Sequence, residues 1–471
     1  MSAAIDYSYH AVGETSKGHR IWIENLMLER NGFTAGAIYT RRISSDRKII
    51  VLELIDNPEQ TAAQETFTVS KTASGTPIVY IRNKTISAIF GGHERVVVEY
   101  KQGVIEISLH NVCKLSAERV KRFRENLSKG ELTEGTFCAG VGMSTLGIHE
   151  GFKKHGISIK TSWVLDREQR FLDAAIKNNP AVTRETSVIN GKMEELDTRK
   201  LTPVDIFQFS MSCRVYTKAS LAKKKRAVAE NHEDAAGVYG IFKSLEPINP
   251  AVIVSENVRE AKGSATYIIL KAVLQELGYN VYEFTLDNEQ SGSFENRPRY
   301  WFVAIDKNLP EIIPEAIPAY TRQYSTFADV MSAAPANDSA YEWRTPTQAR
   351  VEKIVRDKEK GNGFSNQPML YPHSTSAPTV RREYLKNGST DVQIAGDGGT
   401  YRMLTPEEHC VMKSAPLSLI AGLTKTLAHE VLGQGVDMGQ SIGLAELVCL
   451  CVTGQVKRTA ADLKPEQQNL F

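Results

Sequence analysis

The sequence predicts an α/β chain: a doubly wound sheet with helices on both faces, a small β-rich domain ahead of it, and an irregular region inserted behind it. Three observations carry that reading. From about Glu131, short apolar runs alternate with stretches of helical length, as strands and crossover helices do in a parallel sheet. Before that point apolar and polar residues alternate at period two and turn at glycines, the pattern of half-buried strands. Between Pro310 and about Thr400 both periodicities dissolve into proline, polar and glycine-rich stretches.

At 471 residues the chain exceeds one ordinary domain. Its net charge is only +2, so any nucleic-acid surface has to come from local clustering. The six cysteines, at 113, 138, 213, 410, 449 and 451, form neither a disulfide framework nor paired C-x-x-C metal spacing. A reduced, cytoplasmic protein with no metal site is expected. No charged-then-apolar leader opens the sequence and no run of about 18 apolar residues occurs, so a membrane span is not expected.

In the first segment, 1–112, Arg20-Ile21-Trp22-Ile23, Gly32 to Gly36 and Lys48 to Leu54 are echoed by Pro77 to Ile81, Phe90-Gly91-Gly92 and Val104 to Leu109. Two β-rich units in one domain explain the echo. The repeat resembles the swapped-hairpin barrel of AbrB-type regulators; a DNA-tracking module and a spacer or dimerisation domain both stay open. Segment 113–130 carries Arg119, Lys121, Arg122, Arg124 and Lys129 on a linker helix, for which a solvated basic face is the expectation.

Segment 131–309 is the catalytic candidate. Strands are expected over 133–139, 162–165, 205–209, 251–254 and 300–305, with helices over 144–155, 167–177 and 265–277. Ligands bind at the carboxyl ends of such strands, where Ala139-Gly140-Val141-Gly142 and Asp166 fall. Glycine lets backbone approach a ligand, and an acid at the end of the next strand can accept hydrogen bonds from ribose hydroxyls. Cys213 follows an acid-led strand, Asp205-Ile206-Phe207, and Glu256-Asn257-Val258 and Arg297-Pro298-Arg299 come later. A thiolate adding to carbon 6 of a cytosine makes carbon 5 nucleophilic. Such chemistry needs a donor at ring nitrogen 3, which Glu256 supplies if burial raises its pKa, and cations such as Arg297 and Arg299 to orient base and acid. Taken singly, each group has a plain structural reading: a buried thiol, a helix cap, a surface ion pair.

From about Thr133 to Val452 the chain resembles the DNA (cytosine-5) methyltransferase family, which uses S-adenosylmethionine on a Rossmann-like domain. Phe137, Cys138, Ala139, Gly140, Val141 and Gly142 match its cofactor loop, and Asp166 takes the place of its ribose-binding acid. Lys192 falls near where an acid usually reads the adenine amine. Cys213 matches the catalytic thiol, Glu256-Asn257-Val258 the Glu-Asn-Val motif, and Glu295-x-Arg297-x-Arg299 the Gln-x-Arg-x-Arg motif apart from its first residue. Arg402 to Glu408 resembles the motif that supports the target-recognition region, here 310–400. Leu432-Gly433-Gln434-Gly435-Val436, within the returning segment 401–458, resembles the motif beside the cofactor, which implies cofactor contacts from Gln434 and Val436. A tail, 459–471, follows.

The resemblance implies methyl transfer to C5 of a cytosine through a Cys213 adduct, double-stranded DNA as partner with the base flipped out, and a possible cognate restriction nuclease. A tRNA methyltransferase and a degenerate scaffold acting as a DNA-binding protein are the alternatives. Expected nucleic-acid contacts are Lys218, Lys223, Lys224, Lys225 and Arg226 beyond the thiol, and Arg381, Arg382, Lys386 and Arg402 in and after the recognition region. The chain also departs from the family: Ser210-Met211-Ser212 stands where Gly and a proline-containing pair are usual, Arg214 where Gln is, and Cys138 where a stacking aromatic is. Loss of the proline is expected to loosen or misplace the nucleophile.

Overall fold

The computed structural model describes residues 5–16, 18–46, 48–55, 65–82, 84–90, 94–217, 228–311, 323–334, 342–359, 368–388 and 391–455. The chain divides into two compact units, Met1–Glu118 and Arg119–Phe471.

The first unit is built from strands β1 (Asp6–Ala11), β2 (Gly13–Thr15), β3 (Gly18–Glu24), β4 (Ile38–Ser44), β5 (Ile49–Leu54), β6 (Thr66–Thr68), β7 (Ser70–Lys71), β8 (Pro77–Arg82), β9 (Arg95–Lys101) and β10 (Val104–Leu109), with short helices α1 (Leu26–Arg30) and α2 (Lys84–Phe90). Both sheets read the same from either end in terms of the repeat: β1-β9-β10-β5-β4-β6 and β2-β3-β8-β7. The central pairs, β3 with β8 and β5 with β10, are antiparallel and join equivalent strands of the two repeats. The outer strands exchange, β1 adding to the second repeat's hairpin and β6 to the first's. Alternation along β3 sends Ile21 and Ile23 into the core and leaves Arg20, Trp22 and Glu24 exposed.

Helix α3 (Asn111–Ser128) runs through the division between the units. Its expected solvated basic face holds at Lys121, Arg124 and Lys129, which are exposed, and is corrected at Arg119 and Arg122. Arg119 is buried, its Nε 2.6 Å from Asp306 Oδ2 and its guanidinium stacked on the Tyr279 ring. Arg122 donates to the carbonyls of Val204 and Asn249 and pairs with Asp205, which also accepts from Asn126 and Thr133. A charge run in sequence cannot reveal buried acids waiting on another element.

The second unit is centred on β11 (Glu131–Phe137), β12 (Ser158–Asp166), β13 (Ser187–Asn190), β14 (Ile206–Phe209), β15 (Val252–Asn257), β16 (Tyr279–Leu286) and β18 (Arg299–Asp306), the short β17 (Glu295–Asn296) lying outside the main sheet. The order is β13-β12-β11-β14-β15-β18-β16. Pairing is parallel from β13 to β15, while β18 runs antiparallel to both neighbours. β14 and most of β15 are buried on both faces, as central strands covered by helices must be. One apolar core lies on each side of the sheet.

Helices α4 (Met143–Lys153), α5 (Gln169–Asn178), α6 (Gly237–Ile248) and α7 (Ala265–Glu276) cover the faces, joined by the C-terminal helices Lys425–Gln434 and Met438–Val452. Met438–Val452 lies against α4 so closely that a Cβ at Gly151 would sit 2.6 Å from that of Ala445. The segment 310–400, irregular in pattern, still has a core of its own in its described parts, where Phe327, Leu370, Val380, Tyr384 and Ile394 pack with Phe294 and Met412. Among the described residues no single helix is long and apolar enough to cross a membrane. The expected tail, 459–471, lies outside the described residues.

Candidate active site

The loops leaving β11, β12, β14 and β15 open onto one cleft. Cys138, Ala139, Gly140, Val141, Asp166, Lys192, Cys213, Glu256, Gln434 and Val436 all line it, so residues scattered over some 300 positions converge on one space.

Beyond β11 the backbone turns through left-handed conformations at Cys138 (φ 56°), Gly140 (φ 58°) and Gly142 (φ 77°). The turn aims the Gly140 amide at Asp166 Oδ2, 2.7 Å away, while the Glu168 amide donates to Oδ1 at 2.9 Å. Those two bonds fix the carboxylate and leave lone pairs for a ligand. Burial raises the Asp166 pKa, partly offset by the same amides. Burial and the nearby Asp166 charge push the Cys138 thiol well up, so it stays protonated at neutral pH. Asn179, which the sequence reading missed, donates from Nδ2 to the carbonyls of Val141 and Gly142 and holds the loop from below. Two expected loop contacts are corrected. Phe137 is fully buried against Trp163 and Phe207, and Gly142 caps α4 away from the cleft lining. Lys192 pairs with Glu195 at 3.5 Å.

Cys213 is exposed and opens a short 3-10 turn, Cys213–Val215. Asn257 anchors the loop before it, donating from Nδ2 to the Met211 carbonyl at 2.8 Å, which gives the middle residue of Glu-Asn-Val a structural task. Glu256 sits in an ion pair: Arg299 Nε lies 2.8 Å from Oε1, and Ser210 Oγ donates to Oε2 at 3.4 Å. Burial and the Arg297 charge lower Arg299 to about 10, which still leaves it cationic at neutral pH.

Arg297 does something else than orient a base. Buried, it donates to the carbonyls of Gly433 (2.8 Å) and Val380 (3.2 Å) and lies 3.4 Å from Glu295. Glu295 also accepts from the Val380 amide and contacts Lys413 at 2.6 Å, both side chains fully buried. Burial and Arg297 depress Lys413 to about 8. Asp437, which accepts from Ser291 and Ser293, is raised by burial to about 6. This charged cluster ties the chain between β16 and β18, and Val380, to the segment that supplies Gln434 and Val436.

The expected nucleic-acid residues fare unevenly. Arg402 is corrected: it is buried, both terminal nitrogens 2.8 Å from Glu408, a brace for the helix Pro406–Met412. Arg382 is partly exposed, lying over the Phe171 ring and facing Glu168 and Glu430. Arg381 is half exposed but held by both oxygens of Asp391. Lys386 stays exposed beside Glu383. Lys218, Lys223, Lys224, Lys225 and Arg226 lie outside the described residues. No spacing signal marked Asp234, which lines the cleft and bonds to Arg167 and Ser212.

Residues 136–442 match the family model for C-5 cytosine-specific DNA methylase. The type II methyltransferase M.NlaX of Neisseria lactamica is 25% identical over 271 residues, 54% of this chain and 79% of its own length. The type II methyltransferase M.SsoII of Shigella sonnei is 22% identical over 320 residues, 66% and 78% respectively. The solved structure of the Entamoeba histolytica methyltransferase EhMeth superposes with a TM-score of 0.52 at 15% identity, covering 70% of this chain and 99% of that one, a likeness of fold.

Proposed function

Because the chain belongs to the C-5 cytosine-specific DNA methylase family, and is thereby a DNA cytosine-5 methyltransferase, we propose that it works through a covalent Cys213 adduct on a flipped cytosine. The observation that carries this reading is the meeting, in one cleft, of the exposed Cys213, the Glu256–Arg299 pair and the Gly140–Asp166 cofactor loop.

The residues present fit S-adenosylmethionine. Asp166 keeps acceptor capacity for ribose hydroxyls, the glycine turn lets backbone approach closely, and Gln434 and Val436 line the same cleft. Lys192, half exposed in the cleft lining, is the residue nearest in sequence to the family's adenine-reading acid. Bound there, the cofactor supplies an electrophilic methyl group.

The target base has to leave the duplex, since carbon 6 is shielded by stacking. The Cys213 thiolate then adds to carbon 6, and the electrons of the 5,6 double bond move through the ring as nitrogen 3 takes a proton or hydrogen bond from Glu256. Arg299 at Oε1 and Ser210 at Oε2 hold the Glu256 side chain in place, and it donates to nitrogen 3 in its protonated form. Once carbon 5 is alkylated, loss of its proton re-forms the double bond and expels the thiolate. The type II names of both curated relatives support a place beside a cognate restriction nuclease.

Bisulfite sequencing of DNA from a cytosine-methylation-free host tests the proposal. The parent chain is expected to protect cytosines in one sequence context, and Cys213→Ala to protect none. Protection by the Cys213→Ala chain at the parent level would refute the adduct.

A further inference from the structure

We propose that Asp234 and Arg167 are positioning residues for the nucleophile loop, supplying by hydrogen bonds the restraint that a proline before Cys213 would supply by its ring. The proposal rests on the reading of Cys213 as nucleophile.

Ser212 precedes the thiol with φ −52° and ψ 117°. Its backbone thus already sits in the range a pyrrolidine ring enforces, φ about −65 ± 15°. Serine has no ring to hold it there, so something else must. Ser212 Oγ donates to Asp234 Oδ2 at 2.6 Å, short enough for a charge-assisted bond. Asp234 in turn is gripped by Arg167, whose Nη1 and Nη2 reach Oδ1 and Oδ2 at 2.8 and 3.3 Å. The Asp234 amide donates to His232 Nδ1 at 3.0 Å, which fixes the short turn that carries it. Burial raises the Asp234 carboxyl, but the Arg167 and Ser212 bonds outweigh it and bring it to about 2. The acceptor is therefore ionised throughout the working range.

The path of this strap gives it purpose. Arg167 follows Asp166 directly at the end of β12, whereas Ser212 sits in the loop after β14, and β11 lies between those strands. Arg167, Ser212 and Asp234 all line the cleft. The strap therefore ties the wall expected to hold the ribose to the wall that carries the thiol. Among the described residues the Ser212 amide finds no acceptor, so a proline at 212 removes no bond that the fold uses.

The test combines steady-state methylation with amide exchange on the full chain. Ser212→Ala and Asp234→Ala are each expected to lower kcat about ten-fold, the size of one lost charged hydrogen bond, with KM for DNA unchanged within about two-fold. Exchange across residues 211–216 should quicken by about the same factor, while thermal midpoints report that both variants fold. Ser212→Pro should behave as the parent. The decisive arm is Ser212→Pro with Asp234→Ala, in which both kcat and exchange protection should return to within about three-fold of the parent. If the double variant stays as slow and as unprotected as Asp234→Ala, or if Ser212→Ala matches the parent in both readouts, the strap is refuted. Should the parent itself form no methylcytosine, the adduct reading fails instead, and the exchange arm alone still decides the strap.

Discussion

Glu295 and Lys413 are a fully buried pair, yet their removal should have very different costs. Glu295→Gln leaves Lys413 and Arg297 as neighbouring buried cations without the carboxylate that both face at 2.6 and 3.4 Å. Stranding a buried charge in this way costs about 3–5 kcal/mol. Lys413→Met leaves Glu295 its Arg297 partner and the Val380 amide at 2.7 Å. It also removes a cation whose pKa burial and Arg297 have brought from 10.5 to about 8, a charge held at a cost of about 3 kcal/mol. Lys413→Met should therefore change stability by no more than about 1 kcal/mol, and the double variant should recover most of the Glu295→Gln loss. Urea unfolding followed by tryptophan fluorescence is the assay, because Trp163 and Trp301 are buried in the second unit. A loss of 3–5 kcal/mol lowers the midpoint by about 1–2 M at about 3 kcal/mol per molar. The same titration carries a pH signature. Between pH 8 and 10.5 the unfolded chain binds the Lys413 proton and the folded chain does not, so stability rises with pH in that window. Lys413→Met should abolish the rise. Equal costs for the two single variants, or a Glu295→Gln loss below about 1 kcal/mol, would refute the reasoning.

Three further outcomes are expected. Asp166→Ala should weaken S-adenosylmethionine binding about ten- to hundred-fold by calorimetry, the worth of charged hydrogen bonds to ribose; parent affinity would remove Asp166 from the cofactor site. Arg299→Ala should lower kcat about 10²–10³-fold by releasing the Glu256 carboxylate, while DNA binding measured by anisotropy stays near the parent. Asp437, raised from 3.8 to about 6, favours its protonated form in the fold, so the stability it contributes is full below pH 3.8 and is lost as pH rises through 6. Asp437→Asn should flatten the urea midpoint across that window, and an unchanged slope would count against the assignment.

The convergence of the cleft residues was legible because they sit in short motifs at strand ends, where local sequence and position in the fold coincide. Cys213, Glu256, Asp166 and Gly140 need only be delivered to the carboxyl edge of one sheet, and alternating strands and helices promise such an edge. Arginines resisted the same reasoning. Their long side chains choose partners in three dimensions, so Arg297, expected to orient the base, and Arg402, expected to contact DNA, are taken up by carbonyls and carboxylates of the fold. Arg119 and Arg122 were hidden in the same way by Asp306 and Asp205. Reversal of β18 was equally silent, since an apolar run carries no sign of its direction. The N-terminal echo announced two units, but nothing in it disclosed that β1 and β6 trade places.

That trade makes the first unit a dimer written in one chain, and continuity releases its halves from having to be identical. On the exposed face Trp22 stands opposite its counterpart Tyr80, ring centroids 5.5 Å apart. In two identical copies of the first repeat, every Arg20 would face a Glu24, and the face would look the same from both ends. Here Arg20 faces Arg82, and Glu24 faces Ile78. Both cations are gathered at one end of the aromatic pair and the acid is left at the other. A symmetric scaffold has thus acquired a heading, and anything that docks along it can tell front from back.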